Sequence, residues 1–584
     1  MNRFSTLLCG GAAAVVLAAT AQAEPYARIR GVEDAELLES LYAVIGDQTS
    51  VPAGPREAHD RAVEAADRVT RALRSQGYYA ARAETVQNDN PLRPTIRVRP
   101  GPLYNFSQLS IDFTAAPRPD AREAAEAAFT LSSGDPVRAE AVILAETGLV
   151  EALQERGYPD ARALDREIIV DHAVRSATGA FQFDPGTFAR FGELRVPDDS
   201  PVRASLVQRL APFAPGEPVT RSELGEFSSR LRGLEGIASA EVTLGDGSGG
   251  ENRAVDVQIE AGPRHVLELG GGYSTSDGAG VEGELTRHNL YRGAETLTLS
   301  ARLAEIDSYA GARLDIPHWR RYGQTLTAGI RAEAERTDAY DRDALEASVS
   351  VTREITPQLA VTLGLRAESA RIDEAAATVL ATTSGALNIA SASLGAVWDT
   401  RNDALDPSDG YRIEGVIEPA VLLDDGVSTF YKGVVQASGY HSFSDRWVLA
   451  ARAAVGTILN ADAGEIPADR RFYAGGGGSA RGFDYQALSP VGPTGAPFGG
   501  VSLLELSTEL RWRYSPRLGF AAFVDAASAG GNPDVDFGAL RAGIGAGVRY
   551  YTGFGPIRLD VATPVDRRSG ETPVQIYISI GQSF

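Results

Sequence analysis

The sequence predicts α+β modules in tandem followed by an all-β transmembrane barrel of sixteen antiparallel strands. Three observations carry this: an export leader, helical periodicity with internal repeats up to about residue 264, and two-residue alternation from about 265 onward. At 584 residues the chain is too long for one ordinary core.

The first segment reads MNRFSTLLCGGAAAVVLAATAQAEP. Arg3 supplies a positive start, Leu7 to Ala19 is apolar, and Ala21-Gln22-Ala23 is an A-x-A cleavage site. We expect a bacterial secretory signal peptide over 1–23 and a mature start near Glu24. Cys9 is the only cysteine and falls in that segment, so no disulfide or thiol chemistry is expected in the mature chain. The formal net charge of −21 argues against nucleic-acid binding. The 6 histidines are scattered without an H-E-x-x-H pattern, and no metal, cofactor or catalytic residue is expected. No G-x-S-x-G occurs, which disfavours a barrel lipase.

Residues 24–264 carry helix faces. Ala62, Ala66, Val69 and Leu73 line one, and Leu224, Phe227, Leu231 and Leu234 another. The segment also repeats itself. "LRSQGYYAAR" (73–82), "LQERGYPDAR" (153–162) and "LRGLEGIASA" (231–240) each place glycine after a helical run, as a helix stop requires. "VRPGPLYNFSQL" (98–109), "FDPGTFARFGEL" (183–194) and "IEAGPRHVLEL" (259–269) repeat a strand-then-turn phrase. Three modules are expected, over 24–101, 102–186 and 187–264.

From 265 to 584 alternation takes over. Leu297, Leu299, Ala301 and Leu303 alternate with Thr298, Ser300 and Arg302; Val361, Leu363, Leu365 and Ala367 alternate with Thr362, Gly364, Arg366 and Glu368. One face collects Thr, Gly, Arg and Glu and the other Leu, Val and Ala, the pattern of a polar lumen inside a lipid-facing wall. Strands are expected to start near 265, 281, 295, 308, 323, 343, 358, 388, 410, 428, 445, 501, 518, 539, 555 and 573. An even number returns both barrel ends to the side of the modules. The last strand, "VQIYISIGQSF", ends on an aromatic, Phe584.

These residues resemble the Omp85 superfamily, periplasmic POTRA modules followed by a sixteen-stranded outer-membrane barrel. "DTRNDALDPSDGYR" (399–412) is similar to the family's D-x-R-x-x-x-x-x-P-x-x-G phrase and "ARGFDY" (480–485) to its R-G-[FY] loop motif. "LSTELRW" (506–512), "FVDAA" (523–527) and "GAGVRYYTGFGPIRLDVATPV" (545–565) resemble the strands that follow, with Ala527 where the family often has glycine. Three modules and "TRHNLYRG" (286–293) resemble the TamA-like branch. The resemblance implies an ATP-independent assembly or insertion factor for autotransporters and other barrel proteins, not an enzyme. Its partners would be unfolded outer-membrane clients, outer-membrane lipid and, through the modules, a TamB-like periplasm-spanning protein. A two-partner-type secretion pore and a BamA-like general assembler are the alternatives.

The stretch "GGGGSARGFDYQ" (475–486) lies between the eleventh and twelfth expected strands, in a connection far longer than a hairpin. No Gly-Lys-Ser/Thr follows, so it is not a phosphate loop. Its glycines allow tight turns, so the loop either lies on the surface or folds back into the lumen. The resemblance favours the lumen: Arg481, Gly482 and Phe483 form the motif, and the carboxylates matching its partners are Glu509 and Asp525. The alternation around Glu509 is imperfect. Gly270, Gly271 and Gly272 in the first strand and Gly581 near the end of the last mark a weak closure, together with Phe584. That seam either opens sideways to template an incoming strand or bends the wall to fit its curvature.

Overall fold

The computed structural model describes residues 25–47, 50–86, 92–246, 250–275, 278–375, 385–423, 428–493, 495–553, 555–580 and 582. The leader expected over 1–23, Gly581 and Phe584 lie outside them. Two compact units divide the chain. One comprises Met1–Glu193, Phe213–Gly225 and Leu244–Val255; the other comprises Leu194–Pro212, Glu226–Thr243 and Asp256–Phe584.

In the first unit, Thr95–Arg99 runs between Arg28–Arg30 and Arg82–Thr85 beneath two helices, Ala35–Ile45 and Pro55–Ser75. Asp34 starts the first helix by accepting from the backbone N–H groups of Glu36 and Leu37 at 3.0 and 3.1 Å. The expected face Ala62, Ala66, Val69 and Leu73 is buried against this sheet. A second sheet pairs Asn105–Phe113 in parallel with Ser176–Asp184, and helices Pro119–Ala128 and Ala139–Gln154 cover it. Its core holds Phe106, Leu149, Phe181 and Phe183. A third sheet is ordered Arg190–Arg195, Asn252–Ala261, Ile237–Leu244. The expected helix stops hold: Gly77, Gly157 and Gly236 have φ of 96°, 90° and 75°. Each offers its carbonyl to a later N–H, from Tyr104, Ala189 and Gly262. These small α/β sheets resemble POTRA modules.

The second unit contains a closed barrel of sixteen antiparallel strands. Its strands are β1 (His265–Ser274), β2 (Gly278–His288), β3 (Thr296–Ala304), β4 (Asp307–Ile316), β5 (Gln324–Arg336), β6 (Tyr340–Glu354), β7 (Leu359–Glu374) and β8 (Gly385–Asp399). They continue as β9 (Gly410–Leu422), β10 (Ser428–Ser444), β11 (Trp447–Leu459), β12 (Ser502–Arg513), β13 (Leu518–Gly530), β14 (Arg541–Thr552), β15 (Gly555–Pro564) and β16 (Gln575–Ile580). All sixteen expected strands are present, each beginning close to its expected start. Leu363, Leu365, Leu394, Ile417, Val435, Leu506 and Leu559 point outward and are exposed. Such a continuous apolar wall needs lipid around it. Among the described residues, no helix is long and apolar enough to cross a membrane.

The rim where β1 starts, the expected periplasmic one, carries two structured features. Asn289 and Arg292 of the "TRHNLYRG" phrase hold the β2–β3 turn onto residues 198–203. The Asn289 amide donates to the Pro201 carbonyl at 2.9 Å, the Arg292 guanidinium donates to the Ser200 carbonyl at 2.7 Å, and Arg203 pairs with Glu295 at 3.2 Å. Arg209 donates to the His318 carbonyl at 3.0 Å. Burial, then the nearby Arg209 and Arg230 charges, holds the His318 imidazole below its usual pKa.

The β8–β9 turn is the "DTRNDALDPSDGYR" phrase. Asp403 accepts from the Leu405 and Asp406 N–H groups at 2.7 and 2.9 Å, and Asn402 accepts from those of Ser408 and Asp409 at 3.1 Å. Gly410 closes the turn at φ 97°, where a Cβ would overlap the Thr400 carbonyl. Gly410→Ala is therefore expected to destabilise the barrel by about 1–3 kcal/mol, seen as a lower midpoint when heat-dependent gel mobility is followed.

Candidate functional site: a luminal arginine and an incomplete seam

The connection from β11 to β12 folds back inside the barrel, and its residues pack against inward side chains. Ile466, Phe472, Phe483 and Leu488 join inward Ile372, Leu387, Ile389, Leu422 and Phe430 in one buried cluster. Arg481 is 2% exposed. Its Nε donates to Asp525 Oδ2 at 2.6 Å and its Nη2 to Oδ1 at 3.0 Å, a two-pronged pair, and its backbone N–H donates to Oδ2 at 3.1 Å. Nη1 donates to Glu509 Oε2 and to Asp560 Oδ2, both at 3.0 Å. The guanidinium lies 3.4 Å over the Phe523 ring. Burial opposes its charge, but Asp525 foremost, with Glu509 and Asp560, raises its pKa above the ordinary arginine value.

Both expected partners therefore meet Arg481. Glu509 points inward despite the imperfect alternation, because Ser507 and Arg511 share its face while Leu506 and Leu510 face out. Asp560 was not anticipated. Neither were Arg511, which donates to Glu509 at 2.8 Å, and Arg549, which lies 3.2 Å from Glu509 and also pairs with Asp560. With Arg558, 4.0 Å from Asp560, four arginines thus face three carboxylates, and each buried acid has a cation beside it. The sequence carried part of the signal: Arg558 and Asp560, two residues apart, share one face of a strand whose other face holds Ile557, Leu559 and Val561. Gly543 and Gly547 make room for the network. A Cβ on Gly543 would overlap the Arg481 carbonyl, and one on Gly547 the Asp560 carboxylate.

A second anchor holds the other end of the loop. Arg471 forks onto Glu374 at 2.9 and 3.0 Å; Arg470 pairs with Glu368; Asp469 meets Arg342 at 3.1 Å. All three of these loop side chains come from one "DRR" run at 469–471. Burial pushes the Asp469 carboxyl up, against the pull of Arg470 and Arg342.

Next to the arginine site is the seam. β1 and β16 register only at Tyr273↔Ile578 and Ser274↔Tyr577, whereas β1 pairs with β2 from His265↔Arg287 to Ser274↔Gly278. Thr275 extends the closure by donating its N–H to the Ile576 carbonyl at 3.0 Å. Among the described residues, His265–Gly272 has no register partner on that side. The loop motif braces β16 here. The Gly482 N–H donates to Tyr577 Oη at 3.0 Å, and Asp484 accepts from the Gln575 amide at 2.5 Å. A cavity of about 500 Å³ opens at the seam, lined by Gly270, Gly271 and Gly272 and by the loop residues Gly477 and Gly478.

Residues 289–584, just over half the chain, match the family model described as the Omp85 superfamily domain. The chain belongs to the Omp85 superfamily. The outer membrane protein assembly factor BamA of Nitratidesulfovibrio vulgaris is 26% identical over 403 residues, covering 65% of this chain and 50% of that protein. The chain thus spans about half the length of this curated relative. BamA from Haemophilus ducreyi lacking POTRA domains 1–3 shares the fold with a TM-score of 0.71 at 18% identity, covering 82% of this chain and 100% of that one. Family and barrel together place this Omp85 protein in the bacterial outer membrane. Among the described residues, no His, Cys, Asp and Glu group could hold a metal ion.

The arginine site generates two expectations. Arg481→Ala leaves three carboxylates short of a cation and is expected to cost about 3–5 kcal/mol, measured by denaturant unfolding of the refolded barrel. Arg481→Lys recovers only part, since an ammonium cannot fork. Separately, Lys432 is the single lysine of the sequence, and its Nζ lies under the loop, 2.9 Å from the Arg470 carbonyl and 4.6 Å from the Phe472 ring centre. Amine acylation followed by peptide mass analysis is expected to modify Lys432 slowly in the folded protein and fully after unfolding. Fast modification in the folded protein would place the loop outside the lumen.

Proposed function

We propose that this protein assembles or inserts outer-membrane proteins, autotransporters among them, in the manner of a TamA-like factor. The observation that carries this is the seam. Every other neighbouring pair in the barrel shares a longer ladder, while among the described residues most of β1 has no register partner on the β16 side. An exposed edge is a template for another strand, and adding a strand needs backbone hydrogen bonds but no ATP. Gly270, Gly271 and Gly272 pack little and keep that edge easily separated. On this reading the luminal loop keeps the rest of the wall rigid, so that opening is confined to one place. Arg481 with Glu509 and Asp525 serves that bracing, and the POTRA-like sheets bring clients or a TamB-like partner to the periplasmic rim.

A BamA-like general assembler shares this mechanism and differs in its partners. Affinity purification of the full chain from membranes separates the readings: a TamB-like protein supports the proposal, barrel-assembly lipoproteins support the BamA-like reading, and one large secreted protein supports a dedicated secretion pore. The mechanism itself is tested by Tyr273→Cys with Ile578→Cys, a pair opposed in register. The oxidised protein is expected to lose assembly of an autotransporter in proteoliposomes and to regain it on reduction. Full activity in the locked form would contradict lateral opening.

A further inference from the structure

The β8–β9 turn does more than connect its two strands. In the closed order β8 and β9 lie on the opposite side of the barrel from β16. Even so, the Gln582 amide, just beyond β16, donates to Asp406 Oδ1 at 2.8 Å. The other Asp406 oxygen pairs with Arg513 of β12. Arg513 is itself placed by the Tyr551 ring, 4.0 Å beneath its guanidinium. The turn and the chain end therefore meet across the periplasmic mouth rather than along the wall.

The turn is built to hold that position. Asp403 and Asn402 fix its backbone from within, and Asp409 ties it to β10 by accepting from the Ser442 N–H at 3.1 Å. It also touches the luminal network: Arg511 Nη1 donates to the Pro407 carbonyl at 3.4 Å, and Arg511 Nε donates to Glu509, the Arg481 partner. A continuous polar chain thus runs from Gln582 through Asp406, Pro407, Arg511 and Glu509 to the loop. A cavity of about 340 Å³ lined by Asp406, Asp409, Asp445, Arg511 and Arg513 lies beside the contact and gives polar groups access to it.

We infer that Asp406 is a positioning residue that latches the chain end at Gln582 and so holds β16 at the closed seam. This rests on the lateral-opening reading above. β16 shares only a short register with β1. On its other side β15 holds it as far as Ile557↔Ile580, and beyond that ladder the hydrogen bond that Gln582 donates to the Asp406 carboxylate fixes the segment that follows β16. The latch faces the periplasm, where clients arrive, so a client or partner that takes the Asp406 carboxylate releases β16 from the inside.

The test is hydrogen exchange in the full-length protein in lipid nanodiscs, read on the peptide covering 575–582. Asp406→Leu and Gln582→Ala are each expected to accelerate its exchange at least about tenfold, the effect of losing a hydrogen bond to a charged group. The double variant should go no further, and Asp406→Asn, which keeps an acceptor, should stay near the parent. Unchanged exchange in Asp406→Leu overturns the latch. So does acceleration spread equally over β8, β9 and β12, which would mean general loosening. An assembly assay on the same variants separates the two readings. A freed chain end with unaltered assembly leaves the latch standing and counts against lateral opening, whereas faster assembly supports both.

Discussion

The arrangement depends on one buried arginine. Buried to 2% exposure, the Arg481 guanidinium has to be met by carboxylates, and Asp525, Glu509 and Asp560 meet it from three different strands. Arg511 and Arg549 then balance the acids. Replacing such a cluster with apolar groups would cost little net stability, whereas removing one member costs a great deal. The network therefore fixes where the loop sits more than it adds to stability. From that position follow Gly543 of β14, which admits the loop backbone, the seating of Phe483 in the luminal core, and the contact of Gly482 with Tyr577 on the last strand.

The second anchor, at Asp469, Arg470 and Arg471, holds the loop to β6 and β7. Two anchors on well-separated strands make the loop a brace across the barrel. The wall between them is joined by long ladders such as β6 with β7, which runs from Tyr340↔Glu374 to Glu354↔Ala360. The break in this continuity is at β1 and β16. On the proposed lateral opening, rigidity elsewhere would direct strain from an incoming strand to the seam.

Much of the fold was legible in the sequence. Barrel strands carry their own signature: Leu363 and Leu365 outward, Gly364 and Arg366 inward, is a local pattern that no other strand has to supply. Helix faces such as Ala62 to Leu73 are equally local. The site was legible only in part. The motif around Arg481 and the partners Glu509 and Asp525 came from resemblance, and the structure brings them together. Asp560, Arg549, Glu368 and Glu374 remained hidden because pairing across a lumen depends on the stagger of distant strands, which no short stretch encodes. The contact between Asp406 and Gln582 is of the same kind, since it joins opposite sides of the ring. The weak seam was suggested by Gly270, Gly271 and Gly272, but its extent is set by how far β16 runs alongside β1.

The most direct measurement is disulfide mapping between β1 and an arrested client. Single cysteines at Leu267, Leu269 and Gly271 would be paired with cysteines scanned along the client's last strand, with lumen-facing Ser507 as the control position. Strand templating predicts a ladder: each step of two residues along β1 shifts the preferred client position by two, and Ser507 gives no ordered series. Cross-links that form at Ser507 and show no register along β1 would contradict the account and indicate passage through the lumen.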